Sequence, residues 1–243
     1  MKTIQDILNS DGYSVPRLED PEKLKDRLQE IESLQLTSGQ SITFPLHLAG
    51  GGEHYRFYFL KTLQGKKYQN AFEWCAGHGI IGFELLTSNI CETLTFSDCY
   101  DKSTDCCLKS AEELNLKDKV TAYTSDNIGS ILFEHKFDLV VGNPPNSSGI
   151  DRSHINKYFT SDTQFEDLVH FLRINADYDY SSHKEFFDNI HKFITPTADI
   201  LITAQMSAKN WMQNLALGSD LELINIIDMP PDLGLKIFHF IPN

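Results

Sequence analysis

From about residue 68 onward, short apolar runs of strand length alternate with longer segments of helical spacing, and nothing else in the chain constrains its fold so tightly. "NAFEW", "TLTFSD", "KVTAYT", "FDLVVG" and "ADILITA" read as strands. "GIIGFELLTSN", "DKSTDCCLKSAEELNL", "NIGSILFE" and "SHKEFFDNIHKFI" lie between them and carry helical spacing or caps. Strands that alternate with helices build a parallel sheet, because each parallel pair needs a crossover. The chain closes on "LELINIIDM", a Pro-Pro-Asp-Leu-Gly turn, and "LKIFHFIPN". No helix separates these last two runs, so the final strand is expected to be antiparallel.

Residues 1 to about 60 read as helical. In "PEKLKDRLQEIESLQL", Leu24, Leu28 and Ile31 fall at i, i+4 and i+7, and Pro21 opens the first turn. "HYRFYFLKTLQ" is a second helix, preceded by the flexible "AGGGE". Two units result: an N-terminal helical, gating segment over 1–65, and a ligand-binding α/β domain over 66–243 with an aromatic-bearing insertion at about 147–182.

The loop after the first α/β strand, "FEWCAGHGIIGFELL", places Gly77, Gly79 and Gly82 as G-x-G-x-x-G. Such glycines let the backbone turn tightly and approach a ligand, with a helix N-terminus behind them. Asp98 ends the next strand nineteen residues after Gly79, the spacing of a carboxylate that grips ribose hydroxyls. A dinucleotide or another adenosine cofactor meets these requirements equally. Two acids favour the second. Glu73 ends the first strand four residues before Gly77, where a carboxylate repels a pyrophosphate and attracts a cationic amino group. Asp126 ends the third strand, within reach of an adenine amino group, although it is also placed to cap a helix opening at Asn127.

Glu73-x-x-x-Gly77-x-Gly79, then Asp98, then Asp126, then Asn143-Pro144-Pro145-Asn146, in that order after four successive strands, resembles the class I S-adenosylmethionine-dependent methyltransferases. The resemblance covers about residues 66–243 and implies a Rossmann-like, seven-stranded, mostly parallel sheet with an antiparallel last strand. It implies S-adenosylmethionine as cofactor, held by Glu73, Cys75, Ala76, Gly77 and Gly79, by Asp98 and Cys99 at the ribose, by Asp126 and Asn127 at the adenine, and by Asn143.

The Asn143-Pro144-Pro145-Asn146 turn ends a buried strand where doubly wound sheets bind ligands. Two prolines stiffen it. The Asn143 carboxamide oxygen and the Pro144 carbonyl suit a nitrogen bearing two hydrogens, whose lone pair they orient. The turn resembles the Asn-Pro-Pro-aromatic motif of amino- and amide-directed methyltransferases, among them the release-factor glutamine and adenine-N6 enzymes. That resemblance makes Asn143, Pro144 and Pro145 catalytic. The fourth position, aromatic in those enzymes, is Asn146 here. Tyr158 or Phe159 of the insertion is a candidate replacement, and His54 and Tyr55, beyond a gate formed by Pro45 and Gly50–Gly52, are further candidates to meet the substrate with Asn146.

Charge and cysteine content narrow the partners. The net charge is −13, and the most basic run is "LQGKKYQ", so a nucleic acid is disfavoured and a protein side chain or small molecule favoured. Five cysteines without a CxxC pair read as reduced thiols of a cytoplasmic protein. His47 and His54 do not make a metal pair, His78 reads as a loop residue rather than a base, and no run is long enough to span a membrane. The expected activity is N-methylation of an amino or amide nitrogen. The alternatives are a nucleobase methyltransferase, a nicotinamide-dependent oxidoreductase that leaves Glu73 and the turn unexplained, and a non-catalytic S-adenosylmethionine-binding partner subunit. The oligomeric state is not encoded in any of these features.

Overall fold

The computed structural model describes residues 30–49, 52–146, 180–229 and 234–243. Seven strands form its main sheet: β3 (Tyr68–Trp74), β4 (Cys91–Asp98), β5 (Val120–Thr124), β6 (Phe137–Gly142), β7 (Ile194–Ala204), β8 (Leu221–Asp228) and β9 (Lys236–Pro242). Their order is β5-β4-β3-β6-β7-β9-β8. All pairings are parallel except those of β9, which runs antiparallel to both β7 and β8. Every strand expected from the apolar runs is present.

Side chains of successive strand residues point to opposite faces, and both faces are covered. Ala71, Leu139, Val141, Leu201 and Ile237 face one core. It is closed by α1 (Gly52–Thr62), α2 (Ile80–Thr87) and α3 (Asp101–Glu113). Phe72, Trp74, Val140, Ile200, Ile202, Phe238 and Phe240 face the other, closed by α4 (Ser181–Ile190) and α5 (Lys209–Gly218). Phe186 and Phe187 of α4 and Met212 of α5 are fully buried there. Burying each such side chain contributes about 1.5–3 kcal/mol. The order reverses between β3 and β6, which opens a crevice at the carboxyl ends of the strands.

Three sequence expectations need correction. The described part of the N-terminal segment is not all helix: β1 (Ile31–Gln35) and β2 (Ser41–Pro45) form an antiparallel hairpin. Ile31, assigned to a helical stripe, is 72% exposed. The burial signal is in β2, where Ile42 and Phe44 are buried and Ser41 and Thr43 exposed, the period of a strand. Tertiary anchors hold the hairpin to the body. The Thr37 N–H donates to Glu84 Oε1 at 2.9 Å, and Arg56 Nη2 donates to the Gln35 carbonyl at 3.0 Å. Second, "NIGSILFE" forms only a 3-10 turn over Ile128–Ser130. Third, α5 was not anticipated. "HYRFYFLKT" is helical as expected, within α1.

Candidate active site

The carboxyl ends of β3, β4, β5 and β6 surround one cavity of about 840 Å³, its open mouth included.

The glycine loop forms its floor. Cys75 takes a left-handed backbone (φ 55°), as do Gly77 (54°) and Gly79 (76°). A non-glycine residue in that region is strained, a feature that gathers at ligand sites. A Cβ at Gly77 would lie 2.8 Å from the Leu48 carbonyl oxygen. One at Gly82 would lie 2.5 Å from Glu73 Oε2. The loop therefore accepts no side chain at either position, and the turn at Leu46–Leu48 that follows β2 lies directly against it.

Two carboxyls sit in this floor. Glu73 is buried, accepts the Gly82 N–H at 2.6 Å, and is raised by burial to about 8. Asp98 accepts the Gly77 N–H on one oxygen at 2.9 Å and the Tyr100 N–H on the other at 3.0 Å. Burial lifts it to about 6. His78 lies in the same wall, held down to about 3 by burial and the Arg56 cation, so its ring is neutral. Its buried Nε2 has no hydrogen-bond partner.

The cavity brings together most of the residues singled out in the sequence. Glu73, Cys75, Ala76, Gly77, Asp98, Cys99, Asp126, Asn143 and Pro145 all line it. Others stand outside the lining. Gly79 is set behind the loop, where a Cβ would meet Cys107 Sγ and Phe96 at 2.9 Å. The Asn127 side chain accepts the Gly129 N–H at 2.7 Å and so caps the Ile128–Ser130 turn, the role that had been open to Asp126. His54 is exposed beside Glu53 at 3.7 Å, and Tyr55 packs against the core with its hydroxyl raised by burial. Tyr158 and Phe159 lie outside the described residues.

The turn after β6 carries an unexpected set of contacts. Asn146 is folded back on it, with Nδ2 donating to the Pro144 carbonyl at 2.6 Å and to Thr203 Oγ1 at 3.2 Å. Thr203, at the end of β7, donates to Asn143 Oδ1 at 2.6 Å. Sequence reading missed Thr203, and also Leu48, Ser97, Ser125, Ser182 and Glu185 of the lining, while Gly52, named with the gate, does line it. Ser97 and Ser125 flank predicted strand ends and were within reach of position alone. Ser182 and Glu185 come from α4, which no local motif ties to the cavity.

All five cysteines are free thiols. Among the described residues no cluster of His, Cys, Asp and Glu is placed to hold a metal ion. No described helix is long and apolar enough to cross a membrane.

Residues 57–164 match the family model "Methyltransferase small domain". Over 95 residues, 39% of the chain, the sequence is 30% identical to ribosomal RNA small subunit methyltransferase C of Haemophilus influenzae (strain 86-028NP). The matched stretch spans 28% of that relative's length. Solved structures with the same fold include a methyltransferase from Pyrococcus furiosus (TM-score 0.53, 14% identity, 77% of this chain and 81% of that one). They include ribosomal protein L11 methylase from Lactobacillus delbrueckii subsp. bulgaricus (TM-score 0.52, 8% identity, 77% and 76%). A third is the N-methyltransferase NodS from Bradyrhizobium japonicum WM9, in complex with S-adenosyl-L-homocysteine (TM-score 0.51, 14% identity, 91% and 97%). The α/β body thus shares the sheet of these solved methyltransferase structures, and the stretch that matches the family model contains the glycine loop, Asp98, Asp126 and the Asn143–Asn146 turn.

Proposed function

We propose that this chain methylates an amino or amide nitrogen, using S-adenosylmethionine held in the cavity between β3, β4, β5 and β6. One observation carries the reading: Asn143 and Pro145 of a rigid Asn-Pro-Pro turn line the same cavity as Glu73, Gly77 and Asp98. The residues present fit the cofactor. Glu73, Gly77, Asp98 and Asp126 line one cavity, and His78 Nε2 in its wall is a buried polar atom still lacking a partner. Asp98 would take the ribose, Asp126 the adenine end, and Glu73 the cationic amino group. Bound there, S-adenosylmethionine supplies an electrophilic methyl on a sulfonium, so an N–C bond forms as an S–C bond breaks and one nitrogen proton passes to solvent.

The chain's own contribution is positioning. Asn143 Oδ1 accepts the Thr203 hydroxyl, the Pro144 carbonyl accepts Asn146 Nδ2, and a carbonyl oxygen with two lone pairs would also accept a hydrogen of the incoming nitrogen. Pro144 and Pro145 keep the turn stiff. No general base is assigned, because a sulfonium leaves without one.

The acceptor has two readings. The sequence relative is a ribosomal RNA methyltransferase by its name, which supports an RNA base and removes the ground for ranking nucleic acid last. The net charge of −13 and an amide at position 146 support a protein side chain or small molecule. Incubation with tritiated-methyl cofactor, ribosomal subunits, total RNA and a protein fraction separates them, with label scored after ribonuclease or protease. Label released as an N-methyl base supports RNA, and label on a side-chain nitrogen supports protein. Binding of S-adenosylhomocysteine without transfer to any fraction leaves the non-catalytic partner subunit. Binding of reduced nicotinamide cofactor in its place would return the oxidoreductase.

A further inference from the structure

The position that is aromatic in similar Asn-Pro-Pro turns is filled here by an amide that works inward, and the hydrogen-bond directions around it can be deduced. The Pro144 carbonyl can only accept, so the atom of Asn146 that faces it at 2.6 Å is the Nδ2 donor. The same nitrogen faces Thr203 Oγ1 at 3.2 Å and donates its second hydrogen there. Thr203 Oγ1 has a second lone pair and one hydrogen, and in the structure it donates that hydrogen to Asn143 Oδ1 at 2.6 Å, so the oxygen of Asn143 is the atom turned towards β7. Asn146, Thr203 and Asn143 thus form one hydrogen-bonded chain that starts from the Pro144 carbonyl.

We infer that Thr203 is a positioning residue for Asn143, and that Asn146, by donating to Thr203 Oγ1, braces Thr203 in the arrangement that donates to Asn143. This rests on the N-methylation reading for its consequence and on the hydrogen-bond geometry for its existence. Without Thr203 the Asn143 carboxamide loses the donor that turns its Oδ1 towards β7, and a half-turn of the amide would present its NH2 to an incoming NH2 group, which cannot accept it productively. Thr203 is fully buried on a central strand, so the relay is anchored in the sheet rather than in the turn itself. Asn146 thereby replaces an aromatic surface for the acceptor with control of Asn143, and the site no longer depends on a flat acceptor to order the turn.

Two measurements test this. In the chain without cofactor, side-chain amide exchange is followed by nitrogen–proton NMR, with the signals assigned through Asn143→Asp and Asn146→Asp. Thr203→Val, close in shape, is expected to speed exchange of the Asn146 amide about tenfold and to shift the Asn143 pair, since one bond protecting each is gone. Thr203→Ser is expected to restore both. In the methyl-transfer assay, Thr203→Val should lower kcat about tenfold or more at unchanged affinity for S-adenosylhomocysteine and unchanged melting temperature, with most of kcat recovered by Thr203→Ser. Asn146→Phe, which restores an aromatic, should lower kcat and not raise it. Wild-type kcat in Thr203→Val, or a higher kcat in Asn146→Phe, overturns the inference. If the unaltered chain labels no acceptor at all, the N-methylation reading fails on its own. The amide spectra then decide the relay: faster Asn146 exchange in Thr203→Val supports it, and unchanged exchange overturns it.

Discussion

The two sides of the cavity are held in different ways. The glycine-loop side is backbone packed against backbone and buried side chains: Gly77 against Leu48, Gly79 against Cys107 and Phe96, Gly82 against Glu73. The turn side is held by three side-chain hydrogen bonds, one within the turn and two between it and Thr203 of β7. The first is enforced by excluded volume, which tolerates almost nothing. The second is enforced by the direction of protons, which tolerates changes of shape but not of donor and acceptor. Binding and catalysis should therefore fail separately.

The largest effect is expected from Gly82→Ala. Its methyl would lie 2.5 Å from Glu73 Oε2 and 2.8 Å from Leu94 Cδ2, inside a filled core. It would push the buried Glu73 carboxyl off the Gly82 N–H that it accepts at 2.6 Å. The expected loss is about 2–4 kcal/mol of stability together with cofactor binding. Chemical denaturation and titration with S-adenosylhomocysteine measure the two, and wild-type values in both would show the loop to be softer than its packing.

Asn143→Ala attacks the other side. It removes the acceptor and leaves the glycine loop untouched, so kcat should fall about 100-fold while affinity for S-adenosylhomocysteine stays within about threefold. If affinity and kcat fall together, the two sides are one unit and the contrast drawn above is wrong.

The same contrast explains what was legible in the sequence. The strands were visible because buried parallel strands are nearly continuous apolar runs, as in "FDLVVG" and "ADILITA". Glycines and acids at strand ends were visible because their spacing is local. The hairpin of β1 and β2 was hidden by Leu24, Leu28 and Ile31, whose helical spacing is local while the pairing of Glu32 with Phe44 is not. Its anchors, Glu84 and Arg56, lie far along the chain from the residues they hold. Thr203 was invisible for the same reason: it meets Asn143 across sixty residues. The contact of Asn146 with Thr203 was invisible as well, because its sequence neighbours lie in the turn and this partner lies on β7.

Asp98→Asn returns to the packed side with a smaller change. Each Asp98 oxygen accepts one backbone N–H, from Gly77 and from Tyr100. An asparagine offers one oxygen and turns an NH2 group towards the other donor. The loop should open slightly, and the ribose contact should weaken. Affinity for S-adenosylhomocysteine is expected to drop about tenfold. Calorimetric titration reads this directly, and unchanged affinity would leave Asp98 as a loop fastener and nothing more.

The smallest effect expected is a dependence of binding on pH, and it tests whether the packed side also recognises charge. In the free chain, burial raises Glu73 from 4.5 to about 8 and Asp98 from 3.8 to about 6. Both folded values lie above the unfolded ones, so the folded chain holds protons that the unfolded chain gives up. Their contribution to stability is therefore complete below about pH 4 and is lost as pH climbs through 6 and then 8. Binding runs the other way. A cationic amino group brought beside Glu73 favours the carboxylate, so binding should release protons and strengthen as pH rises. The Gly82 N–H already favours the carboxylate, which leaves less for the ligand to add. Affinity for S-adenosylhomocysteine should thus rise only about two- to fivefold between pH 6.5 and 8. Titration in two buffers of different ionisation enthalpy should show the released protons. Flat affinity with no proton release would detach Glu73 from the ligand and leave it as the packing partner of Gly82, and recognition on that side would then rest on shape alone.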